Sequence, residues 1–324
     1  MIKSEELNKG FIGAIREKLS DGEGHASMAN DLMDMLFIGK EAVYRRLRNE
    51  VPFSFAEAVF IAKKLGISID KIAGNLVSQN ISFKYTPTRF SNPQDADYYM
   101  LKEYLDVLKT ARDSDESEFM YASNLFPQFP GFIYSHLVRF HSFRWSYMHD
   151  SVEDVKPYHE VCVPDKLIEI RKEIIKETWN IKETCYMWDA GLFLSMVNDI
   201  QFFSSISYLR KEDISLIKEE LLMLINDMEA IATKGEFETG NKVDVYISNT
   251  NFDASYSYLK TSKFKVSMIG VFGLNFLNAL DEASFKKMHL WMQSLKKFSI
   301  LISESGEIHR AQFFKKQREI INIL

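Results

Sequence analysis

The run from Leu32 to Asn49 constrains the fold of this chain more than any other segment. Leu32, Met33 and Leu36 lie one, three and four residues apart and share one face of a predicted helix. Gly39 offers the positive φ or close approach that a sharp turn between helices needs. Ile38, just before it, is placed to fill the gap between the flanking helices. From Lys40 the apolar positions are Val43 and Leu47, four apart, and Ala42 leaves room for close helix contact. Together these predict a short apolar helix, a tight turn and a second helix with a single buried stripe. Lys40, Tyr44, Arg45 and Arg48 fall mostly off that stripe and are expected to face outward.

That layout is a helix-turn-helix, whose second helix enters a DNA groove. Between Lys40 and Asn49 four basic residues (Lys40, Arg45, Arg46, Arg48) stand against one acid, Glu41, a local charge of +3. Cationic side chains supply the phosphate contacts that dominate affinity for DNA. A guanidinium can also bond guanine through two parallel bonds, worth ~1–3 kcal/mol of discrimination. The candidate DNA-binding set is Ser27, Lys40, Glu41, Tyr44, Arg45, Arg46 and Arg48. Lys40, Tyr44 and Arg45 are assigned to base edges, and Ser27, Arg46 and Arg48 to phosphates or support. Residues 1–76 hold eleven Lys or Arg and eleven Asp or Glu, so the domain is neutral as a whole. Affinity is then concentrated on one face, which favours binding as a homodimer over coating DNA.

The flanks extend the pattern. Phe11, Ile15 and Leu19 are four apart and predict a preceding helix. Ser27 is expected to cap the helix that runs through Leu32. Val51-Pro52-Phe53-Ser54 interrupts the chain, and Ser54 is placed to cap a helix from Phe55 to Leu65. That helix should bury Ala58, Val59, Ala62 and Leu65 and stop at Gly66. A last short helix is expected from Ser68 through Ile69 and Ile72 to Gly74. With Ala62-Lys63-Lys64-Leu65-Gly66-Ile67-Ser68-Ile69-Asp70, this segment resembles the lambda-repressor-like (XRE-type) helix-turn-helix regulators. Val43-Tyr44-Arg45-Arg46-Leu47-Arg48-Asn49-Glu50 is closest to their BetR-like branch, in which Tyr-Arg-Arg is followed by a small residue and Glu. Asn49 stands where that pattern has Gly, and Asn also tolerates left-handed backbone. The resemblance covers residues 8 to 76 and implies the DNA-binding domain of a bacterial transcription regulator.

The 324 residues allow two domains. A net charge of −5 excludes a generally basic nucleic-acid coat. Cys162 and Cys185 lack a short pairing motif, and no N-terminal leader is visible. The longest apolar stretch, Ala190 to Ile206, is interrupted by Asn198, Asp199 and Gln201, too polar for a bilayer. The expected location is therefore the cytoplasm, with no membrane partner. Residues 78–93 read as a linker, in which Ile81, Phe83 and Tyr85 could alternatively form a short strand.

Beyond it, Tyr98, Leu101, Leu105 and Leu108 predict a helix that packs internally, with dimerisation as the other use of its seam. Asp113 to Glu118 reads as an exposed acidic corner. Helices are predicted from Asp165, from Met187 to Leu209, from Asp213 to Thr233, from Glu282 to Phe298 and after Gly306. Period-two alternation at Val243 to Ile247, Tyr256 to Tyr258 and Phe264 to Met268 predicts an antiparallel meander. The fold class expected is mainly α: a five-helix helix-turn-helix domain (1–77), then a larger, mostly helical α+β domain (94–324) with a small antiparallel sheet.

Little in the second domain points to chemistry. His136, His141, His149 and His159 have spacings that fit no metal site. Gly270-Val271-Phe272-Gly273 lacks the Lys of a phosphate loop. Glu169, Glu173 and Glu177 alternate with lysines on a solvated helix face. The expectation is a transcription regulator that is not an enzyme and carries no cofactor. Its second domain would dimerise and respond to a small-molecule or protein effector. The alternative is a protein-interaction adaptor that keeps a helix-turn-helix which does not bind DNA.

Overall fold

The computed structural model describes residues 4–19, 25–69, 72–73, 83–85, 93–125, 131, 133–149, 155–271 and 275–324. The chain divides into two units, Met1–Ser82 and Phe83–Leu324. Most of the stretch read as a linker lies outside the described residues. Among those described, no helix is long and apolar enough to cross a membrane.

In the first unit α1 (Ser4–Leu19), α2 (His25–Leu36), α3 (Lys40–Leu47) and α4 (Phe55–Leu65) surround one core. Phe11, Ile12 and Ile15 of α1 meet Met28, Ala29 and Leu32 of α2, Val43 and Leu47 of α3, and Ile61 and Ala62 of α4. Phe53, in the loop before α4, closes this core with its ring edge-on to Phe11 at 5.6 Å. Ser54 and Glu57 form a reciprocal capping box at the start of α4. Gly66 ends the helix at φ 66°, in the left-handed region.

Four helices of this unit have described bounds, and Ile69, Ile72 and Ala73, inside the predicted fifth, are also helical. The predicted fifth, from Ser68 to Gly74, falls partly on residues outside the description. On the expected apolar side of α4, Ala62 is buried and Ala58 and Leu65 pack against the core; Val59 is exposed, and Ile61, fully buried, fills the core in its place.

The second unit corrects the expected small antiparallel sheet. It is built on an eight-stranded mixed sheet in the order β1-β7-β6-β5-β2-β3-β4-β8. The strands are β1 (Lys84–Tyr85), β2 (Ser117–Ser123), β3 (Glu183–Trp188), β4 (Lys242–Ser248), β5 (Tyr256–Thr261), β6 (Lys265–Val271), β7 (Asn275–Ala279) and β8 (Ser299–Leu301). β2, β3 and β4 are parallel, in register from Glu118 opposite Glu183 and from Glu183 opposite Lys242. Their neighbours all run antiparallel. β4 therefore does not belong to a meander with β5 and β6; it pairs with β3 and β8.

Parallel neighbours need long crossovers, and helices supply them. The chain reaches β2 through α5 (Pro93–Arg112). It then passes from β2 to β3 through α6 (Ser135–His149) and α7 (Asp165–Trp179), and from β3 to β4 through α8 (Leu194–Ser205) and α9 (Lys211–Lys234). These helices and the terminal α11 (Glu307–Ile321) share one core with Phe119, Tyr121, Tyr186, Trp188, Val243 and Val245. Alternate residues of the same strands, Met120, Ala122 and Met187, face the other side. There they meet Phe285, Met288, Met292 and Leu295 of α10 (Glu282–Lys297). The seam of α5 is used inside this unit, with Leu105 and Leu108 in the larger core.

The expected single helix from Met187 to Leu209 is instead the end of β3, a turn and α8. Asp189 Oδ1 accepts from the Gly191 N–H at 2.8 Å, and Gln317, fully buried on α11, donates to the Ala190 carbonyl at 2.9 Å. These bonds hold a sharp corner where apolar content alone suggested continuous helix. The acidic corner is likewise shortened, because Ser117 and Glu118 begin β2.

One side chain anchors a crossover to its neighbour. Glu220 on α9 accepts from Ser135 Oγ at 3.1 Å and from the backbone N–H of His136 and Leu137 at 2.7 and 2.9 Å. A carboxylate there meets the unsatisfied donors and the positive end of α6. Glu220→Ala should lower the stability of the second unit by about 2 kcal/mol. Urea unfolding followed by tryptophan fluorescence checks this, because all four tryptophans lie in this unit.

Candidate nucleic-acid interface

The placement of α3 follows from two apolar side chains. Val43 and Leu47 are buried, so the opposite arc of the helix is turned to solvent. Lys40, Glu41 and Arg45 are exposed on that arc; Arg48 caps the C-terminus of α3 and is also exposed. Tyr44 sits at its margin, half-buried against the core, with the Lys40 ammonium 5.9 Å from its ring centre. Lys40, Tyr44, Arg45 and Arg48 are thus brought together with Glu41. Among the described residues α2 begins at His25, so the backbone of Ser27 lies inside the helix and not at the N-cap expected for it.

The connection between α2 and α3 differs from the expectation. Gly39 has φ −69° and ψ 156°, an ordinary extended N-cap. The residue with positive φ is Phe37, at 54°. Its ring is 91 % exposed. The turn therefore places a bulky side chain in left-handed backbone without packing to offset the strain.

Arg46 is not on the free arc. Its Nε and Nη2 donate to the two carboxylate oxygens of Glu57 at 3.2 and 2.8 Å, and its Nη1 donates to the Ala42 carbonyl at 3.2 Å. Both partners are largely buried, at 18 % and 19 % exposure. This fork ties α3 to the first turn of α4, so the guanidinium supports the helix. Burial opposes ionisation of Glu57, but the Ser54 backbone N–H and the Arg46 guanidinium outweigh it and hold the carboxyl below its ordinary value of 4.5.

The far end of α3 is fixed by residues that the helical pattern alone does not single out. The Asn49 N–H donates to the Arg46 carbonyl at 3.0 Å and the Glu50 N–H to the Arg45 carbonyl at 2.9 Å, with Asn49 at φ 61°. This is a Schellman closure, and Asn serves where Gly is usual. Asn8 on α1 donates to Asn49 Oδ1 at 2.5 Å and accepts from the Phe53 N–H at 3.2 Å. Arg16, also on α1, donates to the Leu47 carbonyl at 3.2 Å.

The turn carries Glu50 back beneath the helix. Its carboxylate lies 2.8 Å from Arg48 Nε and 3.7 Å from Arg45 Nε. Glu41 lies 3.1 Å from Arg48 Nη2. The signal for Glu50 in the sequence was its position just past the basic helix; Asn8 and Arg16 are polar residues on an amphipathic helix and gave none.

In the second unit, burial and then the charges of Arg171 and Arg144 hold His141 well below the usual histidine value, so its ring stays neutral. Burial pushes the Cys185 thiol up to about 12, which removes its nucleophilic form at neutral pH. Among the described residues no group of three or more His, Cys, Asp or Glu is arranged to hold a metal ion. An apolar recess is lined by Ile175, Trp179, Tyr186, Trp188, Met228 and Phe237. The hydroxyl of Thr178 in its wall is turned to the Ile174 carbonyl at 2.8 Å.

Phe37→Gly removes left-handed strain and loses no buried area, so it should stabilise the first unit by about 0.5–1 kcal/mol. Thermal unfolding followed by helical circular dichroism is the check. The lowered pKa of Glu57 means a stabilisation present above pH 4.5 and lost as the pH falls through the folded value. Glu57→Gln should flatten that part of the acid unfolding profile and leave the second unit's tryptophan-detected transition in place. In comparison with family models, curated proteins and solved structures, no match to the chain was found.

Proposed function

We propose that this chain is a sequence-specific DNA-binding transcription regulator, with α2, the turn at Phe37–Gly39 and α3 as its helix-turn-helix. The observation that carries the reading is the rotation of α3: Val43 and Leu47 are buried, the solvent arc presents Lys40 and Arg45, and half-buried Tyr44 at its margin and Arg48 at the C-cap flank them. On this reading Lys40, Tyr44 and Arg45 address base edges in the major groove, and Arg48 a phosphate. Arg46 supports the helix from behind through Glu57. Ser27, in the first turn of α2, is assigned to a phosphate, since the amino end of a helix attracts anions. The site of action is the cytoplasm of a bacterium.

The second unit is assigned to dimerisation and response to an effector. A homodimer doubles the contacts of a reading domain with no net charge and fits half-sites one helical turn apart.

A second reading, a protein-interaction adaptor, is favoured by one observation: Phe37 and Phe55 are 91 % and 83 % exposed, as an apolar docking surface would require. Selection from a random duplex library, followed by titration at several salt concentrations, separates the two. A DNA reader yields a preferred sequence and loses affinity steeply as salt rises. Arg45→Ala should weaken binding to the selected sequence by more than ~1 kcal/mol and relax the preference at one base pair. Unchanged affinity of this variant, or no selected sequence at all, rejects the assignment.

A further inference from the structure

We propose that Glu50 is an internal competitor for the DNA backbone, a carboxylate held where it occupies the arginines that a phosphate would otherwise recruit. The inference rests on the reading of α3 as a DNA-binding helix and adds how that helix limits its affinity for DNA of any sequence.

The position of Glu50 is built. The Schellman closure fixes its backbone to the Arg45 carbonyl, and the left-handed Asn49 directs the chain back under α3. Asn8 holds the Asn49 side chain and the Phe53 N–H together, so the turn is tied to α1 at two points. From there the Glu50 carboxylate reaches Arg48 Nε at 2.8 Å and Arg45 Nε at 3.7 Å. Glu41 takes Arg48 from the other side. A carboxylate and a phosphate meet a guanidinium through the same fork of donors, so the two compete for one site.

Charge accounting gives the consequence. Arg46 is neutralised by Glu57. On the free arc and its closing turn, Lys40, Arg45 and Arg48 then face Glu41 and Glu50, three positive charges against two negative, a net of +1. Arg45 and Arg48 keep 54 % of their side-chain surface exposed and Glu50 keeps 47 %, so solvent screens these pairs and DNA can displace the carboxylate. The displacement opposes binding on every sequence. A bidentate bond from arginine to guanine recovers it only where the correct base stands. Glu50 thereby suppresses sequence-independent binding more than binding at the cognate site.

The test uses the full chain and a labelled random-sequence duplex, titrated by fluorescence anisotropy over a range of salt. Glu50→Gln keeps the shape and removes the charge. The expected result is a rise in affinity of roughly five-fold at low salt, with the slope of log K against log salt steepened by about one. Glu5→Gln, the same charge change on α1, should leave both nearly unchanged. Combining Glu50→Gln with Arg48→Ala should abolish most of the gain. Wild-type binding with an ordinary salt slope but no gain in Glu50→Gln overturns this inference and leaves the DNA reading intact. An equal gain in Glu5→Gln also overturns it, because net charge alone would then account for the effect. Salt-insensitive or absent binding in all variants rejects the DNA reading itself.

Discussion

The arrangement of the first unit depends on the burial of Val43 and Leu47. An eight-residue helix is too short to hold its shape in water unaided, so α3 exists because this stripe is drawn into the core. Once the stripe is buried, the direction of every other α3 side chain is set. Arg46 falls toward α4, where the capping box of that helix has already ordered Glu57. One carboxylate thus serves a helix terminus and a neighbouring helix together. Asn8 and Arg16 do the corresponding work from α1. The short helix is held at its middle, its flank and its end, and its basic arc is presented without further support.

The second unit depends on a different constraint. β2 and β3 are covered on both faces, by the crossover helices on one side and α10 on the other. A strand buried twice carries apolar residues at nearly every position, as Phe119-Met120-Tyr121-Ala122 and Cys185-Tyr186-Met187-Trp188 do. Parallel pairing of such strands requires the crossovers, and these account for most of the helices of the unit. Glu220 joins α9 to the start of α6, so the two crossovers are locked to each other as well as to the sheet.

These constraints explain what was legible in the sequence. Helices with one apolar stripe were readable from spacing, as Val43 and Leu47 and Leu105 and Leu108 illustrate. Strands β4 and β5 alternate clearly enough to be recognised. β2 and β3 were not, because their alternation is erased by double burial; β3 merged in the reading with the apolar helix after it. Strand order was also out of reach, since β4 pairs with a strand more than fifty residues earlier, not with its successor. Within the candidate interface the basic residues and their buried stripe were legible, and Ser54 and Gly66 announced their caps. The intramolecular partners were not: nothing in spacing alone says that Arg46 meets Glu57, or that left-handed backbone falls on Phe37 instead of Gly39.

The sheet also closes in an uneven way. Among the described residues its outermost members are β1, with two residues, and β8, with three. A foreign strand adds to a sheet only where a row of unpaired amides is long enough to template it, and among the described residues neither border strand is that long. The longer members all lie inward of these stubs. Among the described residues, the wide, strongly apolar sheet thus turns no long open border toward a second copy.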